Sequence, residues 1–347
     1  MIKKNPNLIG HYFQEPNFEN FKKELEVAQN ITLLSHTSPD GDSIGSTLGL
    51  AGILEAMGKN VTVVIPDPAP QFLAWMPNFD SIFVALDKEE EFKVLLDTTD
   101  LLFCVDFNEP FRIGKQLGPI LESHACKKVM IDHHLHPSDF CNYTYSYTEA
   151  CSACELVISF AHELEVEKFI SNDVAQCLYT GIVTDTGSFR FSSVRPITHL
   201  LTSDLITNGL DHAKVHQNLF DSNSLSRLQL QGYAVSQKLE IMEDLGVAIV
   251  CLTADELERF NFEKGDTDGI VNMALSLKGI RIAVFFSEKE GKTKISFRSI
   301  GKENPINLLA SENFEGGGHA NASGGIFYGT CLEAVSLLKS VIGKYIS

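Results

Sequence analysis

The chain of 347 residues has no apolar run near the roughly 18–20 residues that a bilayer-crossing helix needs. Its opening stretch, MIKKNPNLIGHYFQEPN, also lacks the apolar core of a signal peptide. We therefore expect a cytoplasmic protein with no membrane partner. Basic residues are scarce, with 28 Lys and Arg against 45 Asp and Glu, a formal net charge of −17. That balance excludes a protein that tracks duplex DNA by displacing counterions, because it repels a polyanion. Eight cysteines are too few for a disulfide framework at this length, and without an export signal they read as reduced thiols. Internal repeats and low-complexity tracts are missing. No G-x-G-x-x-G follows the first strand-like run, which disfavours a nicotinamide dehydrogenase.

What the sequence does have is alternation. ITLLS (31–35), NVTVVI (60–65), LLFCV (101–105) and KKVMI (127–131) are short, almost continuously apolar runs of the kind found in buried parallel strands. Amphipathic stretches such as SIGSTLGLAGILEAMGK (43–59) and CSACELVISFAHELE (151–165) carry helical spacing. Strand and helix in turn predict an α/β domain on a parallel sheet over residues 1–195. The acidic run DKEEEF (87–92) reads as a solvated helix start. Residues 196–244 look helical throughout and are expected to form a connector. From 245 to 347 strand-like runs return (246–252, 281–288, 294–300 and 325–329), predicting a smaller mixed α/β domain.

Polar residues of metal-binding type fall where these strands end. ITLLS runs into His36, LLFCV into Asp106 and KKVMI into Asp132, His133 and His134. The carboxyl ends of parallel strands are where ligands bind in open α/β sheets. An Asp after one strand is an ordinary turn or cap residue, but three strands delivering such groups are harder to dismiss. Asp185, at the end of the apolar run in TGIVTDTGSFRF, adds a further carboxylate, and SHTSPDGDSIGS adds Asp40 and Asp42. Together His36, Asp40, Asp42, Asp106, His133 and Asp185 make four carboxylates and two imidazoles without a thiolate. Burying so many like charges together calls for cations. Oxygen donors with a minority of imidazole suit two Mn²⁺ or Mg²⁺ ions, a pair roughly 3.5–4 Å apart being usual for phosphoester hydrolysis. Pro39 and Gly41 are expected to bend the loop so that Asp40 and Asp42 reach different ions.

PDGDSIGS, VDFNE, IDHHLHP, GIVTDTGSFRF and EGGGHANASGG, in this order and spacing, resemble the DHH/DHHA1 phosphoesterases. The resemblance runs from about residue 18 to the C-terminus. Within that superfamily it is similar to stand-alone enzymes that degrade very short oligoribonucleotides and dephosphorylate 3'-phosphoadenosine 5'-phosphate. It implies a DHH metal-binding domain (1–195), a helical connector (196–244) and a DHHA1 substrate-binding domain (245–347), with the site in a cleft. It also implies that His36, Asp40 and Asp106 hold one metal while Asp42, Asp106, His133 and Asp185 hold the other. His134 would face the scissile phosphate, and Asp132 would orient the neighbouring imidazoles. Arg298, Gly316, Gly317, Gly318 and His319 would bind the substrate, the glycines letting backbone N–H groups approach a phosphate. Many family members have four glycines before this His; here Glu315 takes the first place.

The remaining features read more plainly. Cys151 and Cys154 form a C-x-x-C with no second pair at zinc-finger spacing, which points to helix packing. His212 and His216 share a helix face without a carboxylate pattern, and His124, His162 and His199 carry no functional signal. Expected partners are short single-stranded RNA or small phosphorylated nucleotides; the oligomeric state stays open, a homodimer included. Rival readings are a cyclic-di-adenylate or linear dinucleotide phosphodiesterase, which would use the same metals, and a non-enzymatic nucleotide or metal sensor. EGGGHANASGG argues against a family II pyrophosphatase.

Overall fold

The computed structural model describes Leu8, residues 10–301 and residues 303–346. It divides into two compact units, with the boundary between Ser222 and Asn223. In the first, α1 (Phe18–Val27), β1 (Asn30–Leu34), α2 (Gly41–Ala56), β2 (Asn60–Ile65) and β3 (Phe83–Val84) are followed by α3 (Glu89–Asp97) and β4 (Leu101–Val105). Then come α4 (Gly114–Ser123), β5 (Lys127–Asp132), β6 (Tyr143–Ser146), α5 (Ala153–Glu163), α6 (Asn172–Asp185), α7 (Pro196–Thr207) and α8 (His212–Phe220).

The six strands form an all-parallel sheet in the order β3-β2-β1-β4-β5-β6. Both faces are covered, which is why the strand sequences are nearly unbroken apolar runs. Along β4, Phe103 and Val105 join a core with Leu33, Ile131 and Phe160, while Leu102 and Cys104 join the opposite core with Leu34, Val64 and Phe92. The strand order reverses between β1 and β4, and a crevice opens at such a switch point beyond the strand ends. The two strands absent from the sequence reading, β3 and β6, are the short edge strands.

The stretch 196–244, read as one helical connector, is shared between the units. Helices α7 and α8 pack against α5 and α6, whereas α9 (Leu225–Gln237) lies in the second unit. Residues 239–242, read as helical, instead form β7 (Leu239–Met242), paired antiparallel with β8 (Val247–Leu252). Leu-Glu-Ile-Met has good helix propensity, but ladder pairing to the sheet edge overrides it.

The second unit continues with α10 (Ala254–Arg259), α11 (Ile270–Leu275), β9 (Ile282–Lys289) and β10 (Lys292–Ser299), then α12 (Asn307–Asn313), β11 (Gly317–His319), β12 (Ala322–Tyr328) and α13 (Cys331–Val341). Its sheet runs β11-β12-β10-β9-β8-β7; β8 and β9 are parallel and the other pairs antiparallel. One face packs Val284 and Phe286 with Leu309 and Leu338; the other packs Ala283 and Phe285 with Leu230 and Ile270.

The reading of all the cysteines as reduced thiols is corrected at one pair. Cys251 of β8 and Cys331 at the start of α13 are joined, with Cα atoms 6.3 Å apart. They are 80 residues apart in sequence, so composition alone could not show that the fold brings them together.

Candidate metal centre

β1 runs on into Ser35 and His36, and the chain turns at Ser38, where φ is +53°. Asp40 then becomes the N-cap of α2, its Oδ1 accepting the amides of Asp42 and Ser43, both at 3.0 Å. One carboxylate oxygen is thus spent on the helix and Oδ2 remains. Gly41 does not bend the loop, as the sequence suggested. It lies inside α2 without a positive φ, and a Cβ there would come 2.5 Å from Thr184 Oγ1 of α6. Close helix approach, not turn geometry, requires the glycine.

Asp42 follows in the first turn of α2, fully buried. Its two oxygens accept the amides of Ala153 (2.6 Å) and Cys154 (3.0 Å), which open α5 beneath the N-cap Ser152. These donors escaped the sequence reading, and Ser152 was their only trace. A backbone N–H at a helix start is a strong anion partner whatever its side chain.

β4 delivers Asp106 with φ at +63°, a left-handed conformation costly for a non-glycine residue and concentrated at functional sites. β5 delivers Asp132, His133 and His134. Asp132, fully buried, holds His134 with both oxygens: Oδ2 accepts the His134 amide and Oδ1 lies 2.8 Å from Nδ1, also 2.8 Å being the amide distance. Of the neighbouring imidazoles that Asp132 was expected to orient, His134 is the one it contacts. His133 instead donates Nδ1–H to the Ala150 carbonyl at 3.3 Å, and His36 donates Nδ1–H to the Thr37 carbonyl at 2.8 Å. Because a carbonyl only accepts, Nδ1 carries a proton in both rings, and Nε2 is the nitrogen that shares a proton with the carboxylates or, once deprotonated, is free to bind a metal.

Those Nε2 atoms meet the carboxylates. His36 Nε2 lies 3.2 Å from Asp106 Oδ2; His133 Nε2 lies 3.4 Å from Asp106 Oδ1, 3.5 Å from Asp185 Oδ2 and 3.7 Å from Asp42 Oδ2. The structure brings all six sequence-derived ligand candidates into one cluster. Three overlapping groups have donor atoms within 4.8 Å of one another: His36–Asp40–Asp106, Asp42–His133–Asp185 and Asp106–His133–His134.

The electrostatics show what such a cluster needs. Burial, with the charges of Asp106 and Asp185, pushes the Asp42 carboxyl well above its usual range. Burial, helped by Asp40 and Asp106, raises Asp185 to about 7 despite His133. Burial works against a charged His36, yet its contact with Asp106 and the charge of Asp40 lift it to about 9. His133 rises for the same reason, against burial, through Asp106, Asp185 and Asp42. Asp106 is the exception: burial is outweighed by His133 and His36, and its carboxyl falls below the ordinary range. The chain alone balances the cluster by retaining protons. Asp106 Oδ1, buried, makes no hydrogen bond. An orphaned buried carboxylate oxygen among hard donors and imidazole nitrogens fits divalent cations.

The substrate-binding candidates lie in the second unit. Arg298 of β10 and His319 of β11 both register with Ala322 of β12, placing them at one level of the sheet. The side chain of His319 lies outside the described residues. A Cβ at Gly316 would come 2.1 Å from the Gly324 carbonyl, and one at Gly318, whose φ is +133°, 2.7 Å from the Ala322 carbonyl. Those two glycines are demanded by the hairpin itself. At Gly317 a Cβ would meet nothing within 4 Å, so this is the open one.

Known proteins agree with this architecture. Residues 30–182 match the model of the DHH family, N-terminal domain, and residues 244–347 match that of the DHHA1 domain. A solved exopolyphosphatase-related protein from Bacteroides fragilis is 39% identical, with a TM-score of 0.89, over 94% of this chain and 95% of that one. A probable bifunctional oligoribonuclease and PAP phosphatase NrnA from Streptococcus mutans is 28% identical over 90% of this chain and 94% of its own. The cyclic-di-AMP phosphodiesterase GdpP of Bacillus subtilis is 26% identical over 93% of this chain, which spans 49% of that relative. The fold and the site define a hydrolase of the phosphoesterase class. The chain belongs to the DHH family and carries its DHH and DHHA1 domains.

Proposed function

We propose that the protein hydrolyses short oligoribonucleotides to nucleoside 5'-monophosphates and 3'-phosphoadenosine 5'-phosphate to AMP and phosphate. The observation that carries this reading is the shared position of Asp106, in contact range of both His36 and His133 at the switch point of the sheet. His36, Asp40 and Asp106 hold one divalent cation and Asp42, Asp106, His133 and Asp185 the other, Mn²⁺ suiting this donor set and Mg²⁺ being admitted. When bound, such a pair supplies a water of lowered pKa and offsets charge on the phosphoryl oxygens. The chain's own part is positional. The α5 amides fix Asp42, the Thr37 and Ala150 carbonyls fix the tautomers of His36 and His133, and Asp132 fixes His134, which faces the scissile phosphate.

Arg298, Gly316, Gly317, Gly318 and His319 recognise the substrate. A net charge of −17 supports small substrates over long strands, which would find no electrostatic track. A cytoplasmic setting accords with these substrates, and among the described residues no helix is long and apolar enough to cross a membrane. The likeness to a cyclic-di-AMP phosphodiesterase favours a second reading, hydrolysis of cyclic-di-adenylate or linear pApA. Purified protein with Mn²⁺, incubated separately with a diribonucleotide, a longer RNA, 3'-phosphoadenosine 5'-phosphate, cyclic-di-adenylate and pyrophosphate, tests both. Preferred turnover of the diribonucleotide and the bisphosphorylated nucleotide is expected; preferred turnover of the cyclic dinucleotide would replace the first reading with the second.

A further inference from the structure

Arg112 follows Asp106 by six positions, in the short 3-10 turn Pro110–Ile113. Its carbonyl accepts two hydrogen bonds from Thr37, the amide at 2.8 Å and Oγ1 at 3.0 Å. Thr37 is the residue whose own carbonyl fixes the His36 ring, so this turn is fastened to the His36 side of the cluster. The Arg112 side chain is half-buried, and its Nε is buried without a hydrogen-bond partner. Among the described residues it makes no ion pair. In a chain with 45 acidic residues against 28 basic ones, an arginine beside a carboxylate cluster and yet unpaired is unusual. Its charge is nonetheless felt at His36, where it opposes protonation. A desolvated guanidinium donor left unsatisfied is costly, and its planar fork matches the paired oxygens of a carboxylate or a phosphate, the phosphate being the anion that a phosphoester substrate brings.

We propose that Arg112 is a substrate-binding residue that grips the second, non-reacting phosphate of a bisphosphorylated nucleotide on the His36 side of the metal cluster. The proposal rests on the phosphoesterase reading above and adds a phosphate contact from the DHH domain to those expected from the DHHA1 domain. Phosphate is recognised here by charge and by paired N–H donors, so lysine retains part of the contact and alanine none of it.

The test compares wild type, Arg112→Lys and Arg112→Ala, each with its metal content measured. The inhibition constant of 3'-phosphoadenosine 5'-phosphate is read against Mn²⁺-dependent cleavage of bis-p-nitrophenyl phosphate, which has one phosphate. Direct binding of the nucleotide is measured by calorimetry with Ca²⁺ replacing Mn²⁺. Arg112→Ala should weaken nucleotide binding about tenfold in both measurements, consistent with loss of one charge-assisted contact. Its penalty on bis-p-nitrophenyl phosphate should be at least several-fold smaller, and Arg112→Lys should recover part of the loss. Equal penalties on both compounds, unchanged nucleotide binding, or loss of bound metal in Arg112→Ala would each overturn the proposal. A wild type that binds the nucleotide without cleaving it would refute the substrate reading alone, with Arg112 still judged by the binding ratio.

Discussion

The two sheets of this protein organise chemistry in opposite ways. In the parallel sheet every strand points the same way, so residues just past β1, β4 and β5 are gathered at one edge without any long-range sequence signal. The candidate ligands there are held by fixed partners: two helix amides on buried Asp42, a carboxylate on half-buried His134, and a carbonyl on each of the buried His36 and His133. In the mixed sheet, antiparallel neighbours bring Arg298 and His319 to one level through register, on strands joined by a glycine-rich hairpin. The first arrangement fixes individual atoms in a compact cluster; the second presents a row of residues whose spacing is set by the ladder. Reactivity should therefore depend sharply on the first unit and selectivity on the second.

The largest break in that contrast comes from Asp106→Ala. It should abolish turnover on every substrate, by at least about 10³-fold, with the protein folded and excess Mn²⁺ unable to restore it. Steady-state kinetics beside circular dichroism and metal analysis would check this, and near-normal activity would remove the shared role of Asp106. Gly181→Ala probes the support beneath the candidate ligand Asp42. A Cβ there would lie 2.2 Å from Cys154 Sγ and 2.6 Å from Asp42 Oδ1. It should cost about 1–3 kcal/mol of stability and lower kcat more than it alters KM, measured by denaturant unfolding and kinetics.

Arg298→Ala sharpens the other side of the comparison. KM for a diribonucleotide should rise about tenfold, while bis-p-nitrophenyl phosphate, which needs little beyond the metal cluster, should suffer far less. Equal damage to both would show that the second unit does not govern selectivity. In the metal-stripped protein, pH provides a finer probe. Asp185 is raised from 3.8 to about 7 and His36 from 6.5 to about 9, so the folded state binds more protons than the unfolded one across these windows. Their stabilisation is present below the unfolded values and fades as pH climbs through 7 and then 9. Tm of the stripped protein should fall from pH 5 to pH 9, and the Tm gained on adding Mn²⁺ should grow over the same range, readable by scanning fluorimetry. The smallest effect belongs to Cys151→Ala with Cys154→Ala. Burial raises both thiols far above neutral pH, so they act as packing groups; about 1–2 kcal/mol of stability should be lost, with less than about threefold change in rate.

Much of the first unit was legible because buried parallel strands leave continuous apolar runs, with the ligand candidates in the residues just beyond them. His36, Asp106 and His133 could be picked out as polar residues that follow the ends of β1, β4 and β5. What escaped was whatever side-chain identity does not encode. The Ala153 and Cys154 amides serve Asp42 through the backbone, and Gly41 is set by the approach of α6 instead of by its own turn. In the second unit β7 was hidden by helix-forming residues, and the Cys251–Cys331 pair by a separation that only the folded sheet closes.

The crossing of α2 and α6 has a consequence for descent. A Cβ at Gly45 would come 2.4 Å from the Cys177 carbonyl, and the one at Gly181 strikes Asp42 itself. Both lie where α2 and α6 pack together, and their substitution would disturb the helices that carry Asp42 and Asp185. At this crossing a single-base change to alanine, serine or valine meets backbone or the Asp42 carboxylate, so tolerated variation should be as narrow there as at the candidate ligands.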